Sequence, residues 1–152
     1  LCLSFPWTSI KYIIKIEGVI NMSKVIKREY HGQIIQQYDD EYTTLNNYGK
    51  RVLDEFIQIN YVPYMTKSIN KHRTSYGIKH DIERCLKFET EKYKDTYPEM
   101  YICYVSNLDV KEAFARAGFK SFYKDDREIN CNFNVSKKAL DYVNSNKDNW
   151  KR

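Results

Sequence analysis

Glycine and proline are the scarce residues of this 152-residue chain, with 5 and 3 copies against 14 tyrosines. Disordered and linker-dominated chains are rich in those two residues, so that class is excluded. No apolar run reaches the roughly 20 residues a membrane helix requires. The four cysteines, Cys2, Cys85, Cys103 and Cys131, make no Cys-x-x-Cys pair, and neither a zinc ribbon nor a disulfide framework is written. They read as reduced thiols of a cytosolic protein, with Cys85 and Cys131 on predicted apolar faces. His31, His72 and His80 fit no His-x-x-x-His or Ser-His-Asp spacing, and no phosphate loop is present. His80 beside Asp81 and Glu83 reads as a solvated helix face ahead of a nuclease metal site. No enzymatic activity and no cofactor are therefore expected.

What is abundant must be read with care. Tyr, Asn, Lys and Ile all have AT-rich codons, so a low-GC genome accounts for much of the tyrosine excess, which carries no argument for base stacking. Lys and Arg number 25 against 20 Asp and Glu, a net charge of +5 that permits a polyanionic partner. A chain of this length holds one hydrophobic core.

The stretch 101–135 organises that core. Tyr101 to Val105 is a β-branched and aromatic run, predicted as a short strand. Ser106-Asn107-Leu108-Asp109 has the spacing of a capping box, so a helix is expected to begin at Asn107. Val110, Ala113, Phe114 and Ala117 recur at i, i+3, i+4 and i+7, leaving Lys111, Ala115 and Arg116 on the opposite face. Gly118 supplies a left-handed stop, with Phe119 placed for the closing contact of a Schellman motif. From Ile129 the period becomes two, with Ile129, Cys131, Phe133 and Val135 to one side and Asn130, Asn132 and Asn134 to the other. Lys120 to Lys124 is expected to pair with it across Asp125-Asp126-Arg127-Glu128. Helix followed by hairpin is the back half of a winged helix.

Elsewhere the signals are plainer. Residues 1–21 lack the cation-first pattern of a signal peptide. Glu17-Gly18-Val19 is encodable by a purine-rich ribosome-binding sequence about six nucleotides before the Met22 codon, so the natural protein is expected to start at Met22, with a charge of about +4. Residues 22–43 read as an N-terminal arm. Thr43 or Thr44 is a candidate N-cap for a helix through Asn60 that carries Leu45, Tyr48, Val52, Phe56 and Ile59 inward. The stretch from Lys67 to Lys79 holds Lys67, Lys71, Arg73, Lys79 and His72 with no acid. Thr74 or Ser75 caps a second helix carrying Ile78, Ile82, Cys85 and Leu86, and Glu89 to Glu99 reads as a surface loop. Ser136 caps a last helix through Asn144, with residues 145–152 fraying. The expected architecture is α+β, a single winged-helix-like domain over 44–144.

Four segments carry a resemblance. Thr74-Ser75-Tyr76-Gly77-Ile78-Lys79-His80, Tyr104-Val105-Ser106-Asn107, Ala113-Phe114-Ala115-Arg116-Ala117-Gly118-Phe119 and Asn132-Phe133-Asn134-Val135-Ser136 resemble small accessory proteins of phages and mobile elements. That set carries Ser-Tyr-x-x-Lys-His, Tyr-(Ile/Val)-Ser-Asn, Ala-Gly-(Phe/Tyr) and Phe-Asn-(Ile/Val)-Ser segments. The helix and hairpin also look similar to winged helices at the ends of phage primase-helicases. The resemblance implies an accessory module in the host cytoplasm rather than an enzyme of known reaction.

Two functions from different classes follow. In the first, the chain binds nucleic acid, DNA ahead of RNA, through Lys71, Arg73, Lys79, Lys111 and Arg116, with Lys124 and Arg127 on the wing. The separation of the two helices by about a dozen residues and a strand argues against a tight helix-turn-helix. In the second, it is an anti-defence protein, such as an anti-CRISPR, that occupies a host defence protein through exposed tyrosines. A contiguous Lys/Arg face favours the first and an acidic or Tyr-rich face the second. No membrane partner is expected, and the sequence sets no oligomeric state.

Overall fold

The computed structural model describes residues 25–30, 33–38, 43–125 and 128–146. The Met22 start, the segment 1–21 and Arg127 lie outside the described residues. Among the described residues four α-helices carry the fold: α1 (Asn47–Asn60), α2 (Ser75–Thr90), α3 (Asn107–Arg116) and α4 (Lys137–Asn146). Two antiparallel pairs accompany them, β1 (Val25–Tyr30) with β2 (Gln33–Tyr38), and β3 (Ser121–Phe122) with β4 (Asn132–Phe133). The class is α+β, as the sequence indicates. The expected arm is in part a regular hairpin, in register from Val25 opposite Tyr38 to Tyr30 opposite Gln33.

α3 packs on α1 and α2, and α2 also carries α4. Phe114 of α3 sits at the centre, fully buried, its ring 4.3 Å from Phe133, 4.8 Å from Phe119 and 5.1 Å from Tyr61 between centroids. Such offset and tilted aromatic pairs add about 0.5–1.5 kcal/mol each beyond their buried area. Ile78, Ile82, Cys85 and Leu86 of α2 complete the core as expected, while Leu53 and Ile57 of α1 are buried more fully than the predicted Tyr48 and Ile59.

The α3 boundaries match the local signals. Ser106 Oγ accepts from Asp109 N at 3.0 Å and Asp109 Oδ2 accepts from Ser106 N at 3.1 Å, closing the capping box. At the other end Gly118 has φ +89°, Gly118 N donates to Ala115 O and Phe119 N donates to Phe114 O, each at 3.0 Å. That is the Schellman pattern, with Phe119 on Phe114 as its apolar contact.

Several expectations are corrected. The N-cap of α1 is Asn46, whose side chain accepts from Gly49 N at 2.8 Å. Thr43 and Thr44 instead donate their hydroxyls to the buried Asp109, at 2.6 and 3.1 Å, tying the approach to α1 onto the start of α3. Tyr101 to Val105 is irregular rather than a strand. Its amides find side chains of α2 in place of a neighbouring strand: Ile102 N donates to Thr90 Oγ1 at 2.9 Å and Val105 N to Glu83 Oε2 at 3.0 Å. The surface loop 89–99 is the end of α2 followed by two 3₁₀ turns, Glu91–Tyr93 and Pro98–Met100. The β3–β4 ladder is shorter than predicted, pairing Ser121 with Phe133 and Phe122 with Asn132. Beyond it, β4 turns to the loop before α2: Asn70 N donates to Phe133 O, Thr66 N to Asn134 O and Ser75 N to Cys131 O, and Met65 bridges Val135. Asn134, expected on the solvent side, is buried, accepting from Lys120 N and donating to Thr66 O. Ser136 does cap α4, which runs two residues past the predicted Asn144.

Candidate nucleic-acid interface

The predicted site residues separate into inward and outward groups. Lys79 is 3 % exposed: its Nζ lies 2.9 Å from Glu83 Oε2 and 4.2 Å from the Tyr104 ring centroid. Arg73 Nε lies 2.6 Å from Oδ2 of the buried Asp81, and Nη2 donates to Asp81 Oδ1 at 2.7 Å and toward Asn144 Oδ1 at 3.5 Å. Both cations are held by carboxylates of α2, because a charge under the surface is stable only beside its counter-charge. Lys79 and Arg73, both expected at phosphates, thus hold internal ion pairs, Lys79 almost fully buried and Arg73 about a third exposed. Lys79 also brings the Ser-Tyr-x-x-Lys-His and Tyr-Val-Ser-Asn segments together, since Glu83 binds its ammonium and the amide of Val105.

The outer face of α3 is likewise engaged. Arg116 straddles Asp54 of α1, with Nη2 at 2.8 Å and Nε at 3.3 Å from the carboxylate. Lys111 Nζ donates to Ile129 O at 3.1 Å and lies 6.0 Å from the Tyr123 centroid. Lys111, Ala115, Tyr123 and Cys131 are among the residues that line a narrow groove of about 240 Å³ between α3 and the hairpin. Burial pushes the Cys131 thiol up, so it behaves as a packing group there and not as a nucleophile. Lys124 is exposed at the hairpin's far end.

Lys71 opens onto a different surface. A shallow depression of about 650 Å³ lies between the 66–72 loop and the start of α4, with Asn70, Lys71, His72, Ser136 and Lys137 among its walls. At one rim Lys71 Nζ stands 5.2 Å from the ring centroid of Phe122, which is 40 % exposed. Next to the wall residue Lys137, Lys138 Nζ stands 5.8 Å from the ring of the equally exposed Tyr64, whose carbonyl accepts from N of the wall residue Ser136 at 2.9 Å. Two lysine–ring pairs therefore adjoin the concavity, one through its wall residue Lys71 and one through its wall residues Ser136 and Lys137. Lys137 also pairs with Asp141 at 2.5 Å along α4, a contact between two exposed groups that water screens. An ammonium over an exposed ring is worth about 0.5–1 kcal/mol, so Lys71 and Lys138 can exchange these rings for a stronger anionic partner.

The loop is held rigidly enough to present them. Asn70 Nδ2 donates to Val135 O at 3.0 Å while its Oδ1 accepts from His72 N at 2.9 Å, and Thr66 Oγ1 donates to Ser68 O at 2.8 Å. Phe122, Tyr64, Lys137 and Lys138 were outside the residues singled out by sequence. The Lys137-Lys138 doublet at a helix start was a legible signal. The exposure of Phe122 and Tyr64 was not, since apolar residues next to a core run read as buried.

His80 does not assemble a metal site. Its Nδ1 is 3.6 Å from Glu83 Oε1 and its ring meets Tyr76 edge-on at 4.5 Å, while Asp81 turns away to Arg73. Among the described residues no group of three or more His, Cys, Asp or Glu is placed to hold a metal ion, and no helix is long and apolar enough to cross a membrane. No protein-family model matches the chain, and no curated protein or solved structure matches it.

Proposed function

We propose that this chain is a nucleic-acid-binding accessory protein of a phage or mobile element, acting in the host cytoplasm by binding and not by catalysis. The observation that carries the reading is the concavity between the 66–72 loop and α4, lined by Lys71, His72 and Lys137, with Lys71 over the exposed Phe122 and Lys138, the neighbour of Lys137, over the exposed Tyr64. Phosphates supply most of the affinity in such complexes, and lysines that hold only weak contacts of their own are the groups able to meet them. The order α3, Gly118 and β3–β4 hairpin supports a winged-helix-like reading of the second half. The binding surface proposed is the concavity and not the α3 face, where Lys111 donates to the Ile129 carbonyl and Arg116 shares its forked contact with Asp54.

A gel-shift titration against mixed duplex DNA, single strands and RNA at two salt concentrations tests this directly. Retention that weakens as salt rises is the expected result, and no retention at the lower salt overturns it. The second reading, an anti-defence protein such as an anti-CRISPR that binds a host protein, is favoured by a different feature. Tyr76, Phe88 and Tyr97 are 44–48 % exposed, as aromatic anchors of a protein interface would be. Loss of nucleic-acid retention, with capture of a defined host defence complex abolished by Tyr76→Ala, would select it.

A further inference from the structure

We infer that the nucleic acid taken at the Lys71–Lys138 concavity is a single strand of DNA whose bases stack on Phe122 and Tyr64; this rests on the nucleic-acid reading above. Three features lead there. First, the cations are interleaved with rings: Lys71 touches both the concavity and Phe122, and Lys138, next to the wall residue Lys137, covers Tyr64. A duplex keeps its base faces inside its own stack, so exposed rings among lysines gain nothing from it, whereas each unpaired base offers a face to an aromatic side chain. Second, the surface is a shallow depression beside a ladder only two residues long, and α4 meets it only at its first residue, Lys137, not along a face that would fill a major groove. Third, the polar floor is occupied: Thr66, Asn70 and Ser136 spend side-chain groups on Ser68, Val135, His72 and Ala139. A ribose 2′-hydroxyl therefore meets few uncommitted partners, and deoxyribose is sufficient.

On binding, a base displaces the Lys71 ammonium from the Phe122 ring, and Lys71 moves to the adjoining phosphate. The same exchange operates at Tyr64 and Lys138. Phe122 supplies stacking and no charge, while Lys71 supplies charge. The two substitutions must therefore leave different signatures.

Fluorescence anisotropy of labelled oligo-deoxythymidine, oligo-uridine and a mixed duplex of equal length separates the outcomes. The full chain is expected to bind oligo-deoxythymidine at least about tenfold more tightly than the duplex and no more weakly than oligo-uridine. Phe122→Ala is expected to weaken the single strand about tenfold with its salt slope unchanged, and Phe122→Tyr to restore it. Lys71→Ala is expected to flatten the slope by about 0.7. Should Phe122→Ala fail to fold, Phe122→Leu keeps the apolar bulk without the π face and must show the same loss. Equal or tighter binding of the duplex, or full affinity in both Phe122→Ala and Phe122→Leu, overturns the single-strand inference and leaves nucleic-acid binding standing. Tighter binding of oligo-uridine overturns the choice of DNA. Absence of binding to all three at low salt overturns both readings together.

Discussion

Arg73 Nε stands 2.6 Å from Asp81 Oδ2, eight residues along the chain, and this pair sits at the junction of the basic loop with α2. Asp81 is 2 % exposed, whereas about a third of Arg73 meets water. The cation that the sequence marks for phosphate is thus paired within the fold, where it ties the basic loop to α2.

Breaking this pair should cost stability and not the salt dependence of binding. Removing the partner of a buried charge costs about 3 kcal/mol, and the carboxylate is the more deeply buried member. Arg73→Ala is therefore expected to destabilise by about 3 kcal/mol in urea unfolding, and Asp81→Ala by somewhat less because Arg73 can turn to water. A change below about 0.5 kcal/mol would show the pair to be incidental.

Asp109 offers a second test. It accepts from Ser106 N and Oγ, from Thr44 N and Oγ1, and from Thr43 Oγ1, all between 2.6 and 3.2 Å. Asp109→Ala leaves these donors without an acceptor at a site that is almost fully buried, a loss of about 2–3 kcal/mol. Thr44→Val removes one of them and should cost about 1 kcal/mol. If Ser106→Ala and Asp109→Ala destabilised equally, the reach of Asp109 to Thr43 and Thr44 would contribute nothing.

Gly118 isolates a backbone term. A Cβ there would meet nothing within 4 Å, so the only cost of Gly118→Ala is its φ of +89°. The expected loss is about 1 kcal/mol, with a lowered thermal midpoint, and Gly118→Asn should lose less because Asn tolerates the left-handed region. No loss in Gly118→Ala would mean that the helix end relaxes without it.

Alkaline pH should unfold the protein through Tyr61. Its phenol is fully buried, and burial holds it well above the ordinary value of 10.0. Below that value both folded and unfolded chains keep the proton, so stability is level. Above about pH 10 the unfolded chain releases the proton while the folded chain retains it, and stability falls as pH rises. Tyr61→Phe removes that part of the fall. An identical alkaline limb in wild type and Tyr61→Phe would assign it to other groups.

What was legible follows the range of the interactions. α3 was readable to the residue because its capping box and Schellman stop are written within a few positions of each end. The Lys79–Glu83 pair had an unexploited signal, an i,i+4 spacing on a predicted helix, since Lys79 was expected at phosphate and Glu83 grouped with His80. The cap of α1 was not, because Thr43 and Thr44 are drawn to Asp109, more than sixty residues away. Tyr101 to Val105 failed for a related reason: Ile102 and Val105 are buried but stand three apart, off the period of two that a strand keeps, and Thr90 and Glu83 take the amides that a strand would have paired. Burial pattern is written in the run itself, and pairing is decided by the partner. The proposed binding surface was legible only at Lys71 and, as unexploited signal, at Lys137-Lys138. Its aromatic members are exposed by the tertiary placement of the 66–72 loop and α4.

The most direct measurement is the salt dependence of oligo-deoxythymidine binding by the intact protein and by the Lys71→Ala/Lys138→Ala variant. Each lysine that neutralises a phosphate should contribute about 0.7 to the slope of log affinity against log salt, so the double variant is expected to flatten it by about 1.4. An unchanged slope, or no measurable binding by the intact protein at low salt, would contradict the assignment of this surface to nucleic acid.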